Sequence, residues 1–442
     1  MSGLVYAGKR AVVVGYGITG KAVAEFLQRN GAVVRIFDDR FDQLSLEVPE
    51  VRISAMDGQL KSSVESADLV VVSPGVPRSH PVFEFAESPI SELELAFRHT
   101  MTPMIAVTGT NGKTTVTTLI TEMLTTSGLR AKAVGNIGTS IISMLDEDVD
   151  YFVAEASSFQ LATISRFRPK VAVWTNFSPD HLDWHQGLDH YRASKARVFE
   201  NQKPGDVAVV NESDPVVSRV GLPSGVQRVG FGLGDFDFGL SDDGSALTAN
   251  GVPYLRLSEM VRTLPHDLEN ALASSAAAFS AGAGLDHISD VLREFRGLPN
   301  RVEFVAQIDR VSYYDDSKAT TPASVVAAVA GFSSVVLIAG GKNKGLDLSP
   351  LASIIPKLRA VVAIGDSADD LVAIFSKAGS IRVVKASSMA EAVYSARDLA
   401  LAEDVVLLSP GCTSFDWYGS YGERGEDFKR AVGSIRSMRG GE

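Results

Sequence analysis

Two glycine-rich runs stand where an apolar run gives way to a helical pattern, and they suit different chemistry. The first, Gly15-Tyr16-Gly17-Ile18-Thr19-Gly20, has G-x-G-x-x-G spacing. Its glycines allow a tight turn and a close approach of backbone to a diphosphate, which the following helix N-terminus stabilises. Asp38 and Asp39 end the next apolar run, where an acidic side chain can hold a ribose hydroxyl. Alone, the motif fits a dinucleotide, a UDP-sugar or a turn without ligand, and it does not separate NAD from UDP. Ser73-Pro74-Gly75, after another apolar run, is expected on the same sheet edge as the far wall of that site.

The second run is Thr108-Gly109-Thr110-Asn111-Gly112-Lys113-Thr114-Thr115. Backbone N–H groups of such a loop cradle phosphates, Lys113 reaches the β and γ oxygens, and the Thr114 hydroxyl is placed for Mg²⁺. Val107 stands where the strict G-x-x-x-x-G-K-[ST] pattern has glycine, so the loop is a variant. Glu155 ends a further apolar run, and a carboxylate at the C-terminal end of a parallel strand faces the ligand crevice. A helix N-terminal acid favoured by the dipole is the alternative reading. His181 and His185 have zinc-helix spacing, but Leu182 occupies the place of the metalloprotease Glu, which rejects that reading. His181 is better placed as an Mg²⁺ or phosphate neighbour. By composition Lys195 is an ordinary surface helix lysine.

The elements that must position these groups follow one rhythm. Short β-branched runs at 11–14, 33–37, 69–72, 104–107, 171–174, 207–210, 335–338, 361–364 and 405–408 alternate with glycine turns and helical stretches. Continuous apolar strands suit a parallel sheet covered on both faces, so the chain reads as doubly wound α/β units. Glycines and aspartates over 221–257 break the rhythm and predict a small antiparallel insertion or meander. A small-residue helix is expected over about 267–283, and a new unit begins near Gly297.

The 442 residues predict two or three domains. The net charge of −11 argues against a nucleic-acid coat protein, while leaving room for a local basic phosphate site. One cysteine, Cys412, excludes an internal disulfide and a structural zinc framework. No apolar run approaches a spanning helix, and the glycines at 15 and 17 make the first apolar run a poor signal peptide. The expectation is a soluble, cytoplasmic, reducing-compartment protein.

The loop Gly109–Thr115 resembles the ATP loop of the Mur ligases, the ATP-dependent amino-acid-adding enzymes of peptidoglycan synthesis, and of their folylpolyglutamate synthetase relatives. The resemblance extends in ordered motifs from Gly15 to Gly425. Asp316-Ser317-Lys318-Ala319-Thr320 is similar to the D-glutamate-adding branch, and 340–345 and 409–416 follow at the spacing of that branch.

The resemblance implies three domains: residues 1–98, Rossmann-like and binding a UDP substrate; 99–298, a P-loop ATPase-like parallel sheet with a small antiparallel part; and 299–442, Rossmann-like and binding glutamate. It implies Lys113, Glu155, His181 and Lys195 as catalytic residues. It assigns ATP to Gly109, Thr110, Asn111, Gly112, Lys113, Thr114, Thr115, Asn270, Arg301 and Asp316. UDP-N-acetylmuramoyl-L-alanine falls to Gly17, Ile18, Thr19, Asp38, Arg40, Ser73, Gly75, Asn136 and His181. Thr320 and Lys344 would hold one glutamate carboxylate, Ser414 and the Tyr421 backbone the other, with Lys318 beside them. Two Mg²⁺ would be held by Thr114, Glu155, His181 and a carbamylated Lys195. Asp267 stands where the family has Asn, and Tyr421 where it commonly has Phe.

The implied reaction joins D-glutamate to the UDP substrate through an acyl phosphate, with no nucleic-acid or membrane partner, in a monomer. A dehydrogenase would use Gly15–Gly20 and Asp38 but leave the Lys113 loop idle. A nucleotide-sensing module would have no use for Glu155, His181 and Lys195 together.

Overall fold

The computed structural model describes residues 5–39, 52–54, 58–377 and 381–439. Three sheets account for the strands among these residues. In the first, the order is Arg52–Ser54, Val33–Phe37, Arg10–Val14, Leu69–Val72, all parallel. The order reverses direction at Arg10–Val14, so the loops after this strand and after Leu69–Val72 emerge side by side, the usual place for a ligand in such sheets.

The second sheet has nine strands. Met104–Thr108 lies between Val171–Trp174 and Tyr151–Glu155, with Ala131–Gly135 at one edge, all parallel. Beyond Val171–Trp174 the sheet continues through Val207–Asn211 and Gln227–Phe231, again parallel. The expected antiparallel meander is present, but over 238–256 rather than the whole of 221–257. Gln227–Phe231 pairs parallel with Val207–Asn211 along its whole length, and the antiparallel pairs are Phe238–Leu240 with Ala246–Ala249 and Ala246–Ala249 with Val252–Arg256. The glycines and aspartates of 232–244 make tight connections, but one flank of that segment is an ordinary parallel strand. The helix expected over 267–283 is Pro265–Ser280, followed by Leu285–Glu294.

The third sheet runs Glu303–Ile308, Val311–Asp315, Val405–Gly411, Val335–Gly340, Leu358–Ile364, Arg382–Lys385, parallel except for the first pair. The β-branched runs of the central strands are fully buried: Val335 to Ala339 are about 0 % exposed. Removing such side chains from water stabilises by roughly 1.5–3 kcal/mol each, which is what fixes the strands in the middle of the sheet.

The chain divides into two compact units. One comprises residues 1–177, 184–259 and 269–293 and holds the first two sheets; the other comprises 178–183, 260–268 and 294–442 and holds the third. Within the first unit a single apolar cluster joins Val13, Val23 and Leu27 to Phe152, Ala154 and Phe167, so its two sheets share a core.

Candidate active site

In the first loop, Gly15 has φ +86°, and a Cβ there would lie 2.9 Å from the Ser73 Cβ. A Cβ at Gly20 would lie 1.8 Å from the Gly15 carbonyl oxygen. Only glycine fits either place, and Ser73 Oγ donates to that same Gly15 carbonyl at 2.8 Å. The loops after adjacent strands are therefore locked together, with Gly75 beyond. Buried Asp38 accepts from the Tyr16 N–H at 2.6 Å, so its carboxylate braces the glycine turn. Helix Ile18–Arg29 starts at Gly17 with no side-chain cap, and Ile18 is exposed. Its first N–H groups point where an anion can satisfy them. Arg40 lies outside the described residues.

The second loop is built from the same first unit. Gly109 has φ +152° and Gly112 φ +81°. A Cβ on Gly109 would meet Thr175 Oγ1 at 1.9 Å, and one on Gly112 would meet Asn270 Oδ1 at 2.3 Å. Helix Lys113–Thr126 begins at Gly112, also without a side-chain cap. The segment after Val171–Trp174 braces the loop: Asn111 N–H donates to Asn176 Oδ1 at 2.8 Å, and Thr175 Oγ1 donates to the Asn111 carbonyl at 2.7 Å. Lys113 folds over the loop and donates to the carbonyls of Gly109 at 2.9 Å and Thr110 at 2.8 Å.

Lys195 is 1 % exposed, which removes it from the class of surface lysines. Its Nζ donates to the Gly109 carbonyl at 2.6 Å and lies 4.6 Å from the centre of the Tyr191 ring. The Tyr191 hydroxyl is 3.2 Å from Thr110 Oγ1. Helix Leu188–Ala196 thus presents two groups to the phosphate loop, and nothing in the sequence singles out Tyr191.

Glu155 is buried at the end of its strand, next to Met104–Thr108. One oxygen accepts from Asn136 Nδ2 at 3.1 Å; the other, Oε2, is buried with no hydrogen-bond partner. An orphaned buried carboxylate oxygen is costly unless something positive completes it. Among the described residues no group of three or more His, Cys, Asp or Glu side chains clusters to hold a metal. That donor set fits Mg²⁺, which commonly takes one or two carboxylates and completes its shell with water and substrate phosphates.

In the second unit, His181 has φ +55°, in the left-handed region that side chains other than glycine rarely adopt. Its N–H donates to Asp180 Oδ1 at 2.8 Å, and Lys344 Nζ lies 3.7 Å from that same oxygen. Residues 182–187 form turns and bends rather than a helix. His185, in the first unit, pairs with Ser158 Oγ at 2.9 Å, in keeping with the rejection of a zinc helix.

The three loops that follow adjacent parallel strands of the third sheet carry the remaining candidates: Asp316, Lys318 and Thr320; Lys344; and Ser414. Asp316 accepts from Ser409 Oγ at 2.7 Å and from Val302 N–H at 3.3 Å. Burial pushes its carboxyl up to about 7, against the pull of those hydrogen bonds and of Arg301. Lys318 Nζ sits 3.8 Å from the centre of the Tyr421 ring. Lys342 and Thr413 exchange backbone hydrogen bonds at 3.0 Å, tying the loop of Lys344 to that of Ser414. Asp267, the residue that departs from the motif, accepts from Arg262 Nε at 2.9 Å, and Arg262 also donates to the Val302 carbonyl at 3.0 Å. The acidic side chain is thus part of a packed ion pair.

The family model for the Mur ligase middle domain matches residues 107–278; those for the MurD-like N-terminal domain and the glutamate ligase domain match 9–92 and 300–412. A UDP-N-acetylmuramoylalanine–D-glutamate ligase of Desulfosudis oleivorans is 40 % identical over 97 % of both chains. The chain belongs to the Mur ligase family. A second relative of the same name, from Pelotomaculum thermopropionicum, is 41 % identical over 97 % of this chain and 98 % of its own. Among solved structures, this Mur ligase resembles in fold the MurF ligase of Thermotoga maritima in complex with ADP. That match has TM-score 0.61 and 18 % identity, covering 98 % of this chain and 96 % of the other. No helix among the described residues is long and apolar enough to cross a membrane.

Proposed function

We propose that this Mur ligase joins D-glutamate to UDP-N-acetylmuramoyl-L-alanine at the expense of ATP, as a cytoplasmic monomer making peptidoglycan precursor. The observation that carries the reading is the pair of lysines on one loop, Lys113 and Lys195 on the Gly109 carbonyl, with Glu155 and its unsatisfied oxygen at the end of the neighbouring strand. The full-length identity to relatives of that name supports the substrate assignment.

In this reading residues 1–98, 99–298 and 299–442 are the three functional domains. Gly17, Ile18, Thr19, Asp38, Arg40, Ser73 and Gly75 take the UDP end, with Asn136 and His181 toward the reacting end. The loop Gly109–Thr115, with Asn270, Arg301 and Asp316, holds ATP. Lys318, Thr320, Lys344, Ser414 and the Tyr421 backbone hold glutamate, whose two carboxylates suit lysine and hydroxyl donors.

The carboxylate of the L-alanyl group attacks the γ-phosphorus, and ADP leaves. The amine of D-glutamate then adds to the acyl carbon, loses a proton, and phosphate departs. Lys113 neutralises charge on the moving phosphoryl group. Mg²⁺, when bound, neutralises further phosphate charge, and Thr114, Glu155, His181 and a carbamylated Lys195 would hold it and its second ion. A lysine can carry CO₂ only in its neutral form, which burial favours. The reading is tested by phosphate release from MgATP and UDP-N-acetylmuramoyl-L-alanine with D-glutamate, L-glutamate or neither. Release that depends on D-glutamate supports it; release with L-glutamate alone overturns the stereochemical part, and none with either overturns the whole.

A further inference from the structure

Among the described residues of the second unit, Arg424 is the largest buried charged side chain: it is 1 % exposed. Its planar fork makes four hydrogen bonds to main-chain and hydroxyl oxygens from two loops. Nε donates to Ser317 Oγ at 3.0 Å and Nη2 to the Ser317 carbonyl at 2.8 Å. Nη1 and Nη2 both donate to the Cys412 carbonyl at 3.1 Å. Ser317 Oγ passes the link on, donating to the Tyr421 carbonyl at 2.7 Å. None of these hydrogen-bond partners is a carboxylate, and a Cβ on Gly341 would come 3.1 Å from Nη1, so the glycine loop after Val335–Gly340 is packed against it too.

Each segment that this guanidinium touches carries one of the proposed glutamate groups within three residues. Ser317 precedes Lys318 and Thr320, Cys412 precedes Ser414, Tyr421 is itself a candidate, and Gly341 precedes Lys344. A buried cation whose hydrogen bonds all fall on neutral oxygens is costlier than neutral packing in the same space, and here Asp416 and Asp315 offset part of that cost through space. A fixed positive charge behind a site does have a use where the ligand brings two negative charges.

We propose that Arg424 is the positioning residue of the glutamate site: it clasps the loops of Lys318, Thr320 and Ser414 and the Tyr421 turn into one register and biases the site toward a dianionic amino acid. It acts through those loops and does not touch the substrate. A lysine in its place keeps a charge but has no planar fork to reach both carbonyls. The proposal rests on the glutamate assignment made above.

The experiment compares wild type, Arg424→Lys and Arg424→Met in the full-length enzyme, with D-glutamate and D-glutamine as alternative acceptors. Thermal unfolding is recorded in parallel, and activity is expressed per folded molecule. For Arg424→Lys, the KM for D-glutamate should rise by about tenfold or more, the scale of losing charge-assisted hydrogen bonds. The KM values for ATP and for the UDP substrate should change by less than about twofold, since the hydrogen bonds of Arg424 fall on Ser317 and Cys412, in the loops that carry the glutamate candidates. Arg424→Met should further reduce the preference for D-glutamate over D-glutamine. Ser317→Ala, which removes the Nε hydrogen bond and the relay to Tyr421 but leaves both carbonyl contacts of Arg424, should give a smaller rise in the same KM. A D-glutamate KM unchanged in both the Arg424→Lys and the Ser317→Ala enzymes, or a uniform loss across all three substrates, overturns the proposal. So does an Arg424→Met variant that keeps the wild-type preference between the two acceptors. A wild type that does not use D-glutamate at all instead overturns the functional reading beneath it.

Discussion

The two glycine loops of the first unit share a plan and differ in charge. Both follow a buried parallel strand, both open a helix that lacks a side-chain cap, and both contain a glycine that a single methyl group would block. The first is braced by a carboxylate, Asp38, on the Tyr16 N–H. The second is overlain by two lysine side chains, Lys113 and Lys195, whose Nζ atoms share the Gly109 carbonyl. A helix N-terminus supplies about half a positive charge in either case. That suffices to seat a diphosphate that stays intact, but a phosphoryl group in transfer spreads more negative charge, and the full cation of Lys113 answers it. In the proposed reading the backbone suits both loops to phosphate, and the side chains over them decide which is the reactive one.

The sharpest way to break this contrast is to remove the cation. Lys113→Met should lower kcat by about a hundred- to a thousandfold, the range for losing one group that stabilises transition-state charge. Phosphate-release assays should show the KM for the UDP substrate nearly unchanged; a large rise in that KM would mean the loops do not divide the labour.

Adding a methyl group to each loop separates them next. Gly109→Ala, with its Cβ 1.9 Å from Thr175 Oγ1, should abolish ATP binding in isothermal titration while UDP-substrate binding persists. Gly20→Ala, whose Cβ would sit 1.8 Å from the Gly15 carbonyl, should do the reverse and lower the melting temperature as well. Equal damage to both ligands from either variant would argue against two independent sites.

The carboxylates come third. Glu155→Gln should raise the Mg²⁺ concentration for half-maximal activity by about ten- to a hundredfold, the scale of altering a metal's immediate surroundings. Titrating MgCl₂ at fixed ATP reads this directly. Asp38→Asn keeps an acceptor for Tyr16 but removes the charge. It should raise the KM for the UDP substrate by about threefold to tenfold, as expected for weakening one charged hydrogen bond. An Mg²⁺ requirement altered as much by Asp38→Asn as by Glu155→Gln would erase the distinction between the two acids.

Much of this was legible in the residues. The strands at 11–14, 104–107 and 335–338 announce themselves because a strand buried on both faces must be apolar throughout, and the glycine loops because their backbone angles exclude other residues. Gln227–Phe231 escaped that logic. Gln227 and Arg228 are exposed at its start and glycines crowd its C-terminal side, so local chemistry resembles a turn while sheet hydrogen bonding makes a strand. Lys195 and Tyr191 were hidden for a different reason. Their helix has the composition of a solvated one, and only its packing against the phosphate loop makes the lysine a buried group. Arg424 was hidden in the same way, within a helix rich in Glu, Lys and Arg.

The sequence by itself determined where the chain turns and where it can approach a phosphate, because glycine tolerance and β-branched burial are local properties of a few adjacent residues. Family membership was also legible there, since ordered motifs from Gly15 to Gly425 carry it. Tertiary structure alone decided which charges count. Burial of Lys195, of Arg424 and of the unsatisfied Glu155 oxygen depends on segments distant in sequence: Gly109 is 86 residues from Lys195, and Ser317 is 107 from Arg424. A charge acquires its energetic weight from the solvent it loses and the partners it gains, and neither is written in the residues beside it.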